Sequence, residues 1–313
     1  MHHIRSLLRG STARRLAAAA LPAVSAIIAL PHMWQVDPTA LPARVAGVSE
    51  ALAELPSTVA VQEVASATGR HLGFDTNVYP GDRALAAWKV AGPYEWVGYY
   101  LPAPCHKDAS WSGKRERLSD AGWGMAVIYV GQQTWGRTPR PDSKAGQRVA
   151  RSKAQCNADL VGAARGARDG DDAVARTAAE GFPKGTVVFL DVERMERVPQ
   201  AMRDYYRAWT QHVLADGRYL PGVYVHKDNA ALVHADLGEV FAALGVQNDP
   251  TVWVASGRNF STEKLPTDVG HAFANVWQGM LDIVESHGGV RLPIDVNVAA
   301  VSSPSEQYAV AAD

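Results

Sequence analysis

Eight short runs of β-forming residues, spaced from His71 onward and separated by helical or polar stretches, limit most strongly what this sequence can become. They are "HLGFDTNV" from His71, "YEWVGYYLP" from Tyr94, "GMAVIYVGQ" from Gly124, "TVVFLDVER" from Thr186, "LPGVYVHKD" from Leu220, "PTVWVASGR" from Pro250, "AFANVWQGM" from Ala272 and "PIDVNVA" from Pro293. Strands alternating with helices make βα units and a parallel sheet. Eight such units are the number that closes a (β/α)8 TIM-like barrel, and the α/β span is of the usual size.

The intervening segments fit. "RDYYRAWTQHVL" carries Tyr206, Trp209 and Val213 at helical spacing, and "DDAVARTAAEGFP" ends at Gly181 just before Pro183, a common helix stop. "DGDD", Asp169 to Asp172, reads as a helix start. The last intervals are too short for full helices, so the second half of the barrel is expected to be irregular. A doubly wound open sheet is the competing architecture. It finds no support, because "GFDTNVYPG" after the first run lacks the phosphate-binding glycine pattern.

Barrel chemistry sits at the C-terminal ends of strands. The polar residues there are few: Asp75 ends the first run, Asp191 and Glu193 the fourth, His226 and Lys227 the fifth, and Asp295 lies in the eighth. Side chains alternate along a strand with period two, so Asp191 and Glu193 project to one side at successive heights. Strands one and eight are neighbours in a closed barrel and four lies across from them. Asp75 and Asp295 are therefore expected to face Asp191 and Glu193 over a cleft. Acids held together in this way can differ in ionisation, as glycoside hydrolysis requires. The plainer reading is that Asp191 or Glu193 caps the next helix or pairs with Arg194 or Arg197.

Rings on or near the strands, Tyr99, Tyr100, Tyr224, Trp253 and Trp277, could hold sugar faces, with Gln278 and His226 supplying polar contacts. Core packing is the competing role for any one of them. The nucleophile-elbow, zinc-protease and Walker patterns are absent. No histidine has zinc spacing; an oxygen cluster could take Mg or Ca, but no metal or cofactor is assigned. Lys plus Arg (31) nearly balances Asp plus Glu (32), which argues against nucleic acid and for a neutral partner.

The N-terminal residues differ in kind. Arg5, Arg9, Arg14 and Arg15 precede the uncharged run Leu16 to Leu30, shorter than the ~20 residues of a membrane span. Residues 1–35 read as a signal peptide for Sec or, through Arg14-Arg15, twin-arginine export, with an uncleaved anchor as the alternative. Residues 36–70 read as a linker with one short helix, "RVAGVSEALAEL", 71–302 as the barrel and 303–313 as a C-terminal tail. Cys105 and Cys156 can form one disulfide in an exported protein, or remain two buried thiols.

"GFDTNV", "VVFLDVE", "VWVA", "VWQG" and "IDVN" resemble, in order and spacing, the barrel of glycoside hydrolase family 25 lysozymes. "GDDAVARTAAEGFPKGTVVFLDVE" is similar to the glycoside-hydrolase-like domain of secreted actinobacterial proteins, long carried as a domain of unknown function. The resemblance spans about Leu72 to Val301. It implies a secreted barrel, often incomplete in its second half, with a cleft for cell-wall polysaccharide. It also implies Glu193 as general acid, Asp191 as the acid beside it, and Asp75 and Asp295 as the first- and last-strand aspartates. Two functions follow: a monomeric, exported hydrolase of a β-linked wall glycan such as peptidoglycan, or a non-catalytic carbohydrate-binding accessory protein on the same barrel.

Overall fold

The computed structural model describes residues 69–134 and 156–308. The proposed signal segment and the short helix expected at "RVAGVSEALAEL" lie outside the described residues. Each of the eight runs forms a strand: β1 (His71–Asp75), β2 (Trp96–Tyr100), β3 (Gly124–Tyr129), β4 (Val187–Val192), β5 (Leu220–His226), β6 (Thr251–Ala255), β7 (Ala274–His287) and β8 (Val290–Ala299). They close a barrel in chain order. Helices α1 (Asp82–Ala91), α2 (Arg115–Asp120), α3 (Ala163–Ala179), α4 (Gln200–Asp216) and α5 (Lys227–Ala243) surround it.

The expected irregularity falls in the last quarter. Only a short 3-10 turn, Pro266–Val269, separates β6 from β7, and β8 runs antiparallel to both β7 and β1. The cause is local. Gly288 and Gly289 hold φ of 56° and 78°, the left-handed pair that a two-residue hairpin turn needs, so β7 returns directly as β8. Both strands continue past the runs visible in the sequence, and bulges between Gln278 and Ile283 interrupt their pairing. The extension packs on α1 and the turn after it: Trp88 Nε1 of α1 donates to the Val290 carbonyl at 2.9 Å, and Tyr94 Oη, between α1 and β2, donates to Glu285 at 2.8 Å.

Alternation along the strands creates two cores. Outward residues such as Phe74, Tyr99, Val127 and Leu190 join Trp88, Tyr206 and Trp209 of the helices. Inward residues Trp96, Ala126, Phe189, Trp253, Val276 and Ala299 fill the barrel. Trp96 lies across β1, where a Cβ on Gly73 would fall 2.1 Å from its ring, so only glycine fits there. Residues 303–308 turn back beneath the barrel. Ser303 and Ser305 side chains accept from the Met125 and Val127 amides at 3.1 and 2.7 Å, and the Val187 amide donates to the Ser305 carbonyl at 2.7 Å. Backbone donors at the starts of β3 and β4 are thereby satisfied rather than buried unpaired.

Asp169 to Asp172 sit inside α3 rather than at its start, because Asp169 and Asp172 receive the hydroxyls of Tyr205 and Tyr129. A disulfide joins Cys105, in the loop after β2, to Cys156, ahead of α3. Among the described residues, no helix is long and apolar enough to cross a membrane.

Candidate active site

At the mouth of the barrel every strand contributes one inward residue to a single cavity. Asp75, Tyr100, Ile128, Asp191, Tyr224, Trp253, Gln278 and Asp295 come from β1 to β8 in order, and Glu193, just past β4, completes the lining of a space of about 90 Å³. The antiparallel register pairs Asp75 directly with Asp295, while β4 brings Asp191 and Glu193 to the same cavity. Gly98 makes room for this cluster, since a Cβ there would lie 2.5 Å from that of Asp75.

Asp75 is buried and fully engaged. Tyr100 Oη donates to its Oδ1 at 2.7 Å, and Gln278 Nε2 and Asn297 Nδ2 donate to its Oδ2 at 2.9 and 2.8 Å. These donors are held in turn: Tyr224 Oη donates to Gln278 Oε1 at 2.6 Å, and Trp253 Nε1 to Asn297 Oδ1 at 3.1 Å. Asp295 Oδ1 accepts the Asp282 amide at 2.6 Å. Gln133, just beyond β3, clamps the end of β4 by donating to the Asp191 carbonyl at 2.9 Å and accepting the Glu193 amide at 3.3 Å. Asp191 Oδ1 is different: it is buried and has no hydrogen-bond partner among the described residues.

These surroundings separate the acids electrically. Burial, then the charges of Glu193 and Asp75, push the Asp191 carboxyl well above the ordinary range. Burial and the neighbouring Asp75 raise Asp295 to about 7, against the opposing pull of the Asp282 amide. Burial raises Asp75 too, with its three donors working in the other direction. Burial and the acids hold Tyr100 and Tyr224 protonated, as donors. Glu193 stands exposed at the rim. The site thus joins buried acids that hold their protons more tightly than ordinary carboxyls to a carboxyl side chain that reaches solvent.

Neither Asp191 nor Glu193 caps the following helix, which begins behind Pro199. Arg194 pairs instead with Asp228 at 3.2 Å. A family model described as "Rv2525c-like, glycoside hydrolase-like domain" matches residues 86–299. The chain belongs to this family. It is the glycoside-hydrolase-like domain that the quoted motifs resemble. No curated protein gives a sequence match.

Among solved structures, a Bacillus stearothermophilus protein shares the fold, with 20% identity, a TM-score of 0.51, and coverage of 73% of this chain and 95% of its own. The Clostridium perfringens spore cortex lytic enzyme SleM matches at 13% identity and a TM-score of 0.46, covering 75% of this chain and 68% of its own. The Mycobacterium tuberculosis Tat-secreted protein Rv2525c, solved with L-tartrate, matches at 18% identity and 0.40, covering 74% and 94%.

Within this glycoside hydrolase-like barrel, Asp75, Asp191, Glu193, Asp295, Tyr224, Trp253 and Gln278 meet at the cavity, and three other candidates do not. Tyr99 is fully buried on the outer face, where its hydroxyl donates to Glu180 at 2.5 Å. Its neighbour Tyr100 faces inward. Trp277 also points outward, its Nε1 donating to the Ser256 carbonyl at 2.8 Å. Adjacent strand residues project to opposite faces, so Trp277 and Gln278 cannot both reach the cleft. His226 caps α5, its ring nitrogen accepting the Asp228 amide at 3.2 Å. Two further residues join the site that the sequence motifs do not mark: Gln133, which follows β3, and Asn297, which period two places on the same face as Asp295. Among the described residues, no group of three or more His, Cys, Asp and Glu side chains is arranged to hold a metal ion.

Proposed function

We propose that the protein is an exported glycoside hydrolase of a β-linked cell-wall glycan, with the mouth carboxylates as its catalytic groups. The convergence of Asp75, Asp191, Glu193 and Asp295 on one cavity carries this reading. Glu193, exposed at the rim, delivers the proton to the glycosidic oxygen as the bond to the sugar carbon breaks. Asp191, its carboxyl pushed well above the ordinary range by burial, presents its unpartnered oxygen to the acetamido group of the sugar, while a water forms the new bond at the sugar carbon and gives its proton to Asp295. Asp295, raised to about 7, passes between charged and neutral forms in the range where an acid or base is most effective. Asp75, tied to Tyr100, Gln278 and Asn297, fixes the polar wall of the mouth against which a sugar sits.

The likeness to a spore cortex lytic enzyme and to a muramidase from Acremonium alcalophilum agrees in kind with a wall glycan as substrate. The basic N-terminal segment and the Cys105–Cys156 disulfide support export. The test is release of reducing ends from peptidoglycan and chitin-type oligomers by the purified protein. Release of new reducing ends is expected. Binding across a broad glycan panel without release would make this a carbohydrate-binding accessory protein instead.

A further inference from the structure

A second polar cavity of about 360 Å³ opens between the loop after β2 and the exposed side of α3. Its charge is unbalanced. Arg165 binds Asp169 at 2.7 Å and Arg176 binds Asp172 at 2.6 Å, and both carboxylates are also engaged from behind by Tyr205 and Tyr129. Lys107 and Arg168, which line the same cavity, have no carboxylate partner among the described residues. Lys107 feels the crowding: burial and then the charges of Arg165 and Arg176 lower the affinity of its amine for a proton.

His106 forms the inner wall of this cavity and is only 9% exposed. Surplus cations gathered around one cavity suit an oxyanion, which accepts several charge-assisted hydrogen bonds at once. The His106 ring also packs on Tyr100, centroids 5.0 Å apart, and Tyr100 holds Asp75. Two packed rings, His106 and Tyr100, therefore separate this cavity from the carboxylate cavity.

We propose that this cavity is an anion subsite that holds phosphate or carboxylate groups borne by the wall polysaccharide. It rests on the glycan reading above and narrows the substrate class to anionic glycans, against the neutral partner that the overall charge balance suggests. The overall charge balance of the chain conceals it, because the surplus is local. With Lys107 and Arg168 both exposed, Lys107→Ala/Arg168→Ala leaves the fold intact, which circular dichroism verifies.

Calorimetric titration of the full chain at low and high salt would use inorganic phosphate, a phosphodiester-linked wall polymer, peptidoglycan fragments with free carboxylates, and a neutral chitin-type oligomer. The double variant is expected to bind an anionic probe roughly tenfold more weakly, with a smaller salt dependence and unchanged affinity for the neutral oligomer. Loss confined to the phosphate probes identifies phosphate as the recognised group, and loss confined to the peptidoglycan fragments identifies carboxylate. Equal binding of every probe by wild type and variant would overturn the subsite. Because binding is read without turnover, absence of hydrolysis would sink the catalytic reading and leave this one standing.

Discussion

The floor and the mouth of the barrel are built from the same strands, a few residues apart, and their chemistry is opposite. On β4, Phe189 lies in the floor with Trp96 and Trp253, and Asp191, two residues on, lies in the mouth. On β8 the order runs from Asp295 at the mouth to Ala299 below. The floor is dry and apolar, its burial stabilising the closed sheet. The mouth spends stability: three acids are raised by burial, and one oxygen of Asp191 is left unsatisfied. Stability and chemistry are thus divided by height within the barrel rather than by domain.

The largest contrast is available on one strand. Phe189→Ala should cost about 3–5 kcal/mol in chemical denaturation, as for other buried aromatics. Asp191→Asn should cost under about 1 kcal/mol or stabilise above neutral pH, since it removes a buried acid that resists ionisation. Equal destabilisation by the two would mean that Asp191 is structural. A middle-sized effect concerns pH. Asp295 is raised in the folded state from 3.8 to about 7, so its contribution to stability is fully present below about 4 and is lost as pH rises through 7. Asp75 and Asp191 act in the same direction. Thermal unfolding midpoints should fall over that window, and Asp295→Asn should flatten the fall; an unchanged slope would show that Asp295 ionises freely.

The smallest effect separates neighbours on β2. Tyr100→Phe removes a donor from Asp75 and should cost about 1–3 kcal/mol, with weaker glycan binding in titration. Tyr99→Phe, on the outer face, should leave glycan affinity at the wild-type value. A matching loss of affinity from both would break the distinction between the faces of the strand.

That last pair also marks what the sequence could and could not reveal. Strand positions were legible because runs such as "TVVFLDVE" announce buried β structure, and with them the four acids at one end. The face of each residue was legible in principle: period two separates Tyr99 from Tyr100 and Trp277 from Gln278, and a consistent count would have placed Tyr100 and Asn297 inward. The reversal of β8 had a signal in Gly288-Gly289, masked by strands that extend beyond their apolar runs. Gln133 had none, since it lies in a loop and acts through the backbone of β4. The local positive cavity was equally hidden, because Lys107 and Arg168 come from segments far apart in the chain.

The central claim is that the mouth carboxylates turn over a glycan rather than merely hold it. Its most direct test follows binding and cleavage of one peptidoglycan oligosaccharide in parallel, for wild type and Glu193→Gln. The account predicts comparable affinity, with cleavage by the wild type and a loss of roughly 10²- to 10⁴-fold in the variant. Equal cleavage by both, or binding by both with cleavage by neither, would contradict it.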